Sequence, residues 1–221
     1  MDGWNVRHSS QSISSSGFTL VELVVAVALV ALVVGATLLV FWSGITLWDR
    51  HQAESTALWN STEAVRRIMA DAREAARCAV WARSGLSDAL EVILPADTDA
   101  NGNYVPAWYQ GKLIYREGQR LIFYLSDATG AYDASGQILW RGTISGASNP
   151  TRSNVAPDTQ WSLYYNTRQG QLSGIESVTF ATQDKDGLYW VVITATAVAQ
   201  QAERPCRMEA RGSVYLQNRI A

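Results

Sequence analysis

Histidine is almost missing: only His8 and His51 carry an imidazole among 221 residues, which leaves little for acid–base chemistry near neutral pH. The chain also lacks G-x-S-x-G, P-loop and H-E-x-x-H strings, and its two cysteines are too few for a cysteine-rich zinc centre. A Ser-His-Asp or Cys-His arrangement would have to be built around His51, and an enzyme is not expected. Net charge is equally spare. At −2 overall, with no Lys/Arg cluster, the chain lacks the excess of positive charge that draws nucleic acid. Proline first occurs at Pro95, so nothing obligatory breaks a helix before it. Charge is missing from Leu23 to Trp48, a run of 26 residues.

That uncharged run is what the sequence has in place of a catalytic apparatus. At 1.5 Å per residue it is long enough to cross a hydrocarbon layer of roughly 30 Å, and Trp42 and Trp48 sit at its far end, where indoles favour the membrane–water interface. The Ser-rich stretch before it has no small-residue site of the kind that ends a secretory signal. Glu22, near the head of the run, is the only charge between Arg7 and Asp49. A carboxylate so placed costs free energy and is usually functional.

Past the span, Leu58, Val65, Ile68, Met69, Ala72, Ala76 and Val80 recur at helical steps, with Arg66, Arg67, Asp71, Arg73, Glu74 and Arg77 mostly on the other faces. The pattern predicts one helix from about Thr19 to Ala82. From residue 84 the chain changes to short β-rich runs, among them LEVILPA, KLIYRE, RLIFYLS, QILWRGTIS, ESVTFATQ and LYWVVITATAVA. Turn-rich strings, including DTDANGN, REGQ, DATGAYDASG, TRQGQ and QDKDG, separate them. The expected fold class is α+β: a long N-terminal helix packed on an antiparallel sheet head.

The string G-F-T-L-V-E at Gly17 to Glu22, followed by some twenty apolar residues, resembles the class III signal of type IV prepilins and type II secretion pseudopilins. The helix-then-sheet order resembles that family's layout as well. The C-terminal half, ending GSVYLQNR, looks most like J-type pseudopilins or W-type minor pilins. The resemblance implies a leader at residues 1–17, a membrane and assembly half-helix at 18–48, an amphipathic half-helix at 49–83 and a β head at 84–221. It implies cleavage between Gly17 and Phe18 by a prepilin peptidase, and N-methylation of Phe18. Glycine before the cut suits a narrow protease cleft, where any Cβ would collide. Glu22 would then pair with the Phe18 amine of a neighbouring subunit and set register. Implied partners are other pilin subunits, an inner-membrane assembly platform and membrane lipid. The implied location is the inner membrane with the head exported, and then the filament. The competing class is a single-span anchored protein that binds a ligand and never polymerises.

Three further expectations concern the head. Two cysteines in an exported domain suggest a bridge, here Cys78 to Cys206. Asp97, Asp99 and Asn101 stand in a D-x-D-x-N-G string, a spacing that wraps oxygens around Ca²⁺, with the Asn103 carbonyl as a further donor. Trp108 takes the place of the acid an EF-hand needs at position 12, and an Asx-rich turn explains the same residues without a metal. Trp108 with Tyr109, Trp140, Trp161 with Tyr164 and Tyr165, and Tyr189 with Trp190 could stack sugars or bases. Strand alternation turns one ring of each adjacent pair toward the core.

Overall fold

The computed structural model describes residues 18–109, 111–144, 165–185, 188–200 and 205–216. Its elements, in chain order, are α1 (Leu20–Glu74), β1 (Arg77–Trp81), β2 (Ala89–Pro95), β3 (Ala107–Tyr109), β4 (Lys112–Ile114), β5 (Glu117–Ser126), β6 (Ile138–Ile144), β7 (Tyr165–Ser173), β8 (Ile175–Lys185), β9 (Leu188–Ala199) and β10 (Cys206–Tyr215). The fold is α+β, one long N-terminal helix with antiparallel sheets. The chain divides into two units between Trp48 and Asp49.

In the first unit the helix is apolar all round, and its side chains, from Phe18 through Trp48, are exposed. It is long and apolar enough to cross a membrane. Thr37 and Thr46 donate their hydroxyls to the carbonyls four residues back, which satisfies both polar groups inside the helix itself.

The second unit opens with the amphipathic part of α1. Ala53, Ala57, Ser61, Ala64, Val65, Ile68 and Ala72 form its buried stripe, recurring at three- and four-residue steps as a helix facing a core must. Leu58, expected in that stripe, is 51% exposed; the stripe runs through Ala57, one position over. Small residues let the helix approach closely. At Gly212 of β10 an added Cβ would stand 2.6 Å from Val65 Cγ1, with Met69 Sδ nearer still.

Two sheets complete the core. One has the order β1-β2-β5-β6-β7, the other β10-β9-β8, and β3 pairs with β4 in a separate ribbon. Leu90, Val92, Leu121, Phe123 and Leu139 from the first sheet meet Val178, Phe180, Val191, Ile193 and Val214 from the second in one cluster with the helix stripe. A smaller cluster of Ala89, Ile122, Tyr124 and Tyr132, flanked by Trp81 and Trp140, covers the first sheet's other face. β2 is therefore buried on both faces, and its Glu91 lies there beside Arg120 at 3.3 Å, both almost fully buried. Polar clamps join helix to sheet: Asn60 donates to Ser173 O at 3.2 Å, Arg67 to Gln171 Oε1 at 2.9 Å and Arg141 to Asp71 Oδ2 at 2.7 Å.

Several expected boundaries move: the REGQ string joins β5 from Glu117 onward and the first three residues of QDKDG belong to β8, and two changes are larger. The helix ends at Glu74 instead of continuing to Ala82, and residues 77–81 form β1, paired with β2 from Arg77↔Ile93 to Trp81↔Ala89. Ala72, Ala76 and Val80 are four apart, a step that fits a helical turn and two strand periods equally. Cross-strand pairing decided between them. The TRQGQ string, expected to be a turn, lies inside β7. The break falls at Gly174, whose φ of +75° lets the chain leave one sheet and enter the other. Its carbonyl accepts from Val198 N–H at 2.8 Å, and Ile175 N–H donates to Gln137 O at 2.9 Å, tying the corner to both sheets.

Candidate functional site at the head of the helix

The residues at the start of α1 form a closed local arrangement. Thr19 stands just outside the helix, and its carbonyl accepts the first helical bond from Leu23 N–H at 3.1 Å. Its hydroxyl oxygen accepts from Glu22 N–H at 3.2 Å. In return Glu22 Oε2 accepts the Thr19 backbone N–H at 2.9 Å and the Thr19 hydroxyl at 3.0 Å. This is a capping box, which satisfies orphan donors of the first turn reciprocally. A carboxylate there also meets the positive end of the helix dipole. The sequence carries the signal for it as T-x-x-E ahead of an apolar run, a local role that the expected pairing of Glu22 with the Phe18 amine does not include. Phe18, next to the cap, is 85% exposed. Gly17 lies outside the described residues.

The other expected sites are placed as follows. Cys78 and Cys206 are both free thiols, which corrects the expected bridge. Cys78 lies on β1, where its carbonyl accepts the Tyr189 hydroxyl at 3.4 Å, near the start of β9. Cys206 pairs with Ala199 at the opposite end of β9. Ten residues of strand separate those ends, about 33 Å at the usual rise, against a bridging limit of about 7 Å between Cα atoms. The register of β10 thus holds the two thiols apart. Burial, and then the charge of Glu91, push the Cys78 thiol up to about 12, so it is no nucleophile near neutral pH.

In the loop before β3, Asp97 is ion-paired with Arg116, whose Nε donates to Oδ2 at 2.7 Å. Asp99 Oδ1 accepts from Asn101 N–H at 2.8 Å and Asn103 N–H at 2.9 Å, and its Oδ2 accepts from Asn103 Nδ2 at 3.2 Å. Gly102 supplies the turn with a φ of +82°. These bonds are those of an Asx-rich turn. The arginine beside Asp97 and the Asn103 amides around Asp99 hold both carboxyls below the usual range. Among the described residues no three of His, Cys, Asp and Glu gather as a metal-binding group.

His51 lies 3.5 Å from Glu54 on an exposed helix face. Among the aromatics, Trp108 is 75% exposed, while Trp140 donates its indole N–H to Asp127 O at 2.9 Å beside the smaller core. Tyr189 packs on the main core, and Trp190 turns to the other face beside Tyr215. Trp161 and Tyr164 lie outside the described residues, as does Asp186 of the QDKDG string.

Compared with known proteins, the chain matches a family model described as the prokaryotic N-terminal methylation motif, over residues 14–38. No curated protein and no solved structure matches it. The motif and the apolar helix together are consistent with a single-pass membrane anchor, and the motif's family is structural rather than enzymatic. Thr19, Glu22 and the apolar face behind them fall inside the matched stretch, so the chain carries at residues 14–38 the class III signal of a prepilin-type protein.

Proposed function

We propose that this protein is a minor pilin or pseudopilin, a structural subunit that is cut between Gly17 and Phe18 by a prepilin peptidase and N-methylated on Phe18. It is held in the inner membrane by the first half of α1 with its head exported. From there an assembly platform adds it to a filament of other pilin subunits. The match at residues 14–38 carries this reading. Physical chemistry supports it: cutting before Phe18 creates a cationic amine about one helical turn from Glu22, and two charges in hydrocarbon are tolerable when paired. Pairing between subunits turns that requirement into a register device. Head size and the absence of proline from the helix favour a minor subunit.

The intact mass of protein purified from membranes tests the reading. A chain beginning at Phe18 and carrying one N-methyl group is expected. An intact leader, or a chain cut after Trp48, would overturn it.

A further inference from the structure

A cleft of about 580 Å³ opens on the face of the β8–β9–β10 sheet turned away from α1, lined chiefly by Gln183, Leu188, Trp190, Val192, Arg211 and Ser213. Strand alternation builds it. Val191, Ile193, Ala195 and Ala197 of β9 enter the core, so Trp190, Val192 and Thr194 take the opposite face. Register then sets Gln183 and Tyr215 on either side of Trp190, Ala181 and Ser213 beside Val192, and Thr179 and Arg211 beside Thr194. The Trp190 and Tyr215 rings lie 5.6 Å apart, tilted by 56°, so the half-buried indole is braced by a neighbour. Ala181 and Val192 leave a low apolar floor next to it. The side chains of Gln183, Arg211 and Ser213 are exposed and hold no hydrogen bond or ion pair among the described residues.

The chemistry of this face selects among ligands. A braced aromatic ring over a low floor takes a flat apolar surface. The carboxamide, guanidinium and hydroxyl around it supply donors and acceptors together. An apolar helix laid there would strand those groups without partners, at a cost in desolvation. A polyanion finds mixed charge in place of a basic patch: β10 alternates Arg207, Glu209 and Arg211 on this face, Arg207 is bound to Glu176 at 2.6 and 2.8 Å, and Lys185 of β8 is the one further cation that register sets on this face among the described residues. A pyranose ring fits both requirements, with an apolar C–H face to stack and a rim of hydroxyls that donate and accept.

We propose that the outward face of the β8–β9–β10 sheet is a binding site for a neutral hexopyranose oligosaccharide, one ring stacked on Trp190 and its hydroxyls read by Gln183, Arg211 and Ser213. The site rests on the sheet alone and does not depend on filament assembly. Because the cleft is open, the affinity is set by one stacked ring and a few hydrogen bonds, on the order of millimolar.

The test uses the full chain in a detergent without a sugar headgroup, titrated with cellohexaose, maltohexaose and chitohexaose, with a heparin-derived oligosaccharide as the polyanionic control, and followed by saturation-transfer NMR. Saturable binding of at least one is expected, weakened roughly tenfold or more by Trp190→Ala, as loss of one stacked ring implies. Arg211→Met and Gln183→Ala, which alter exposed side chains, are expected to weaken it severalfold, and Trp108→Ala to leave it unchanged. If Trp190→Ala fails to fold, the two rim variants decide the matter. No saturable binding of any probe up to about 10 mM, binding indifferent to the rim variants, or binding of a heparin-derived oligosaccharide alone would each overturn the proposal.

Discussion

At the scale of a single residue, Glu22 caps the first turn of α1 and, in the proposed assembly, also pairs with an amine, and the two roles use different properties of its side chain. Capping Thr19 needs an acceptor that reaches back three residues, whereas pairing with an amine needs a charge. Glutamine keeps the first and loses the second, which makes Glu22→Gln more informative than Glu22→Ala. Cys78 and Cys206 differ through burial. Cys78 is 2% exposed with its thiol pushed up to about 12, and Cys206 is half-buried at the start of β10. Native alkylation at pH 8 is therefore expected to label Cys206 and spare Cys78, with both labelled after unfolding in denaturant without reductant. Recovery of a Cys78–Cys206 linked peptide from non-reduced protein would refute the separation of the two thiols.

Among the elements, the contact between α1 and the β10–β9–β8 sheet depends on what is absent from Gly212. Gly212→Ala would drive a methyl group into Val65 and Met69, an overpacking expected to cost about 1–3 kcal/mol. A second change, Met69→Ala, is expected to recover part of that loss. Thermal unfolding of the single and double variants measures both, and additive losses would show that the helix does not approach the sheet at this point. A second clamp is electrostatic. Glu63 accepts from Arg66 Nε at 2.7 Å and Nη2 at 3.0 Å and from Arg67 Nε at 2.7 Å, while Arg67 reaches Gln171 of β7. Hydrogen bonds from Arg66 and then Arg67 bring the Glu63 carboxyl from its ordinary 4.5 down to about 2. A folded-state value below the unfolded one means that this stabilisation is present above about 4.5 and is lost as pH falls toward 2. Glu63→Gln is expected to flatten the fall in melting temperature between pH 5 and pH 2. An unchanged acid slope would place that dependence on other carboxylates.

At the scale of the whole molecule, the proposed filament role makes the first unit the assembly element and the second the part presented outside. Glu22→Ala is expected to leave cleavage and membrane insertion intact and to reduce incorporation into sheared filaments, because the Phe18 amine loses its anionic partner. Glu22→Gln, which preserves the cap, is expected to reduce incorporation to a similar degree. Normal incorporation of both variants would count against charge pairing. Loss with alanine alone would assign the effect to the capping box. Blotting sheared filaments against the membrane fraction reads all three outcomes.

The N-terminal part of this protein was legible in the sequence because a membrane span and its signal are one-dimensional features. An uncharged run, a lone carboxylate and a fixed string around Gly17 need no distant residue to be recognised, and the fold class followed from the change in hydrophobic period after the helix. What only tertiary structure decided depends on pairing. The helix stops at Glu74 because Arg77–Trp81 finds β2, although its four-residue spacing suits either state. TRQGQ stays extended because β6 lies beside it, and the chain turns at Gly174 instead. Cys78 and Cys206 stay apart because the register of β10 on β9 carries Cys206 to the end of β9 opposite Tyr189, whose hydroxyl meets the Cys78 carbonyl from the other sheet. Two cysteines in a sequence carry no distance between them, and distance is what a disulfide requires.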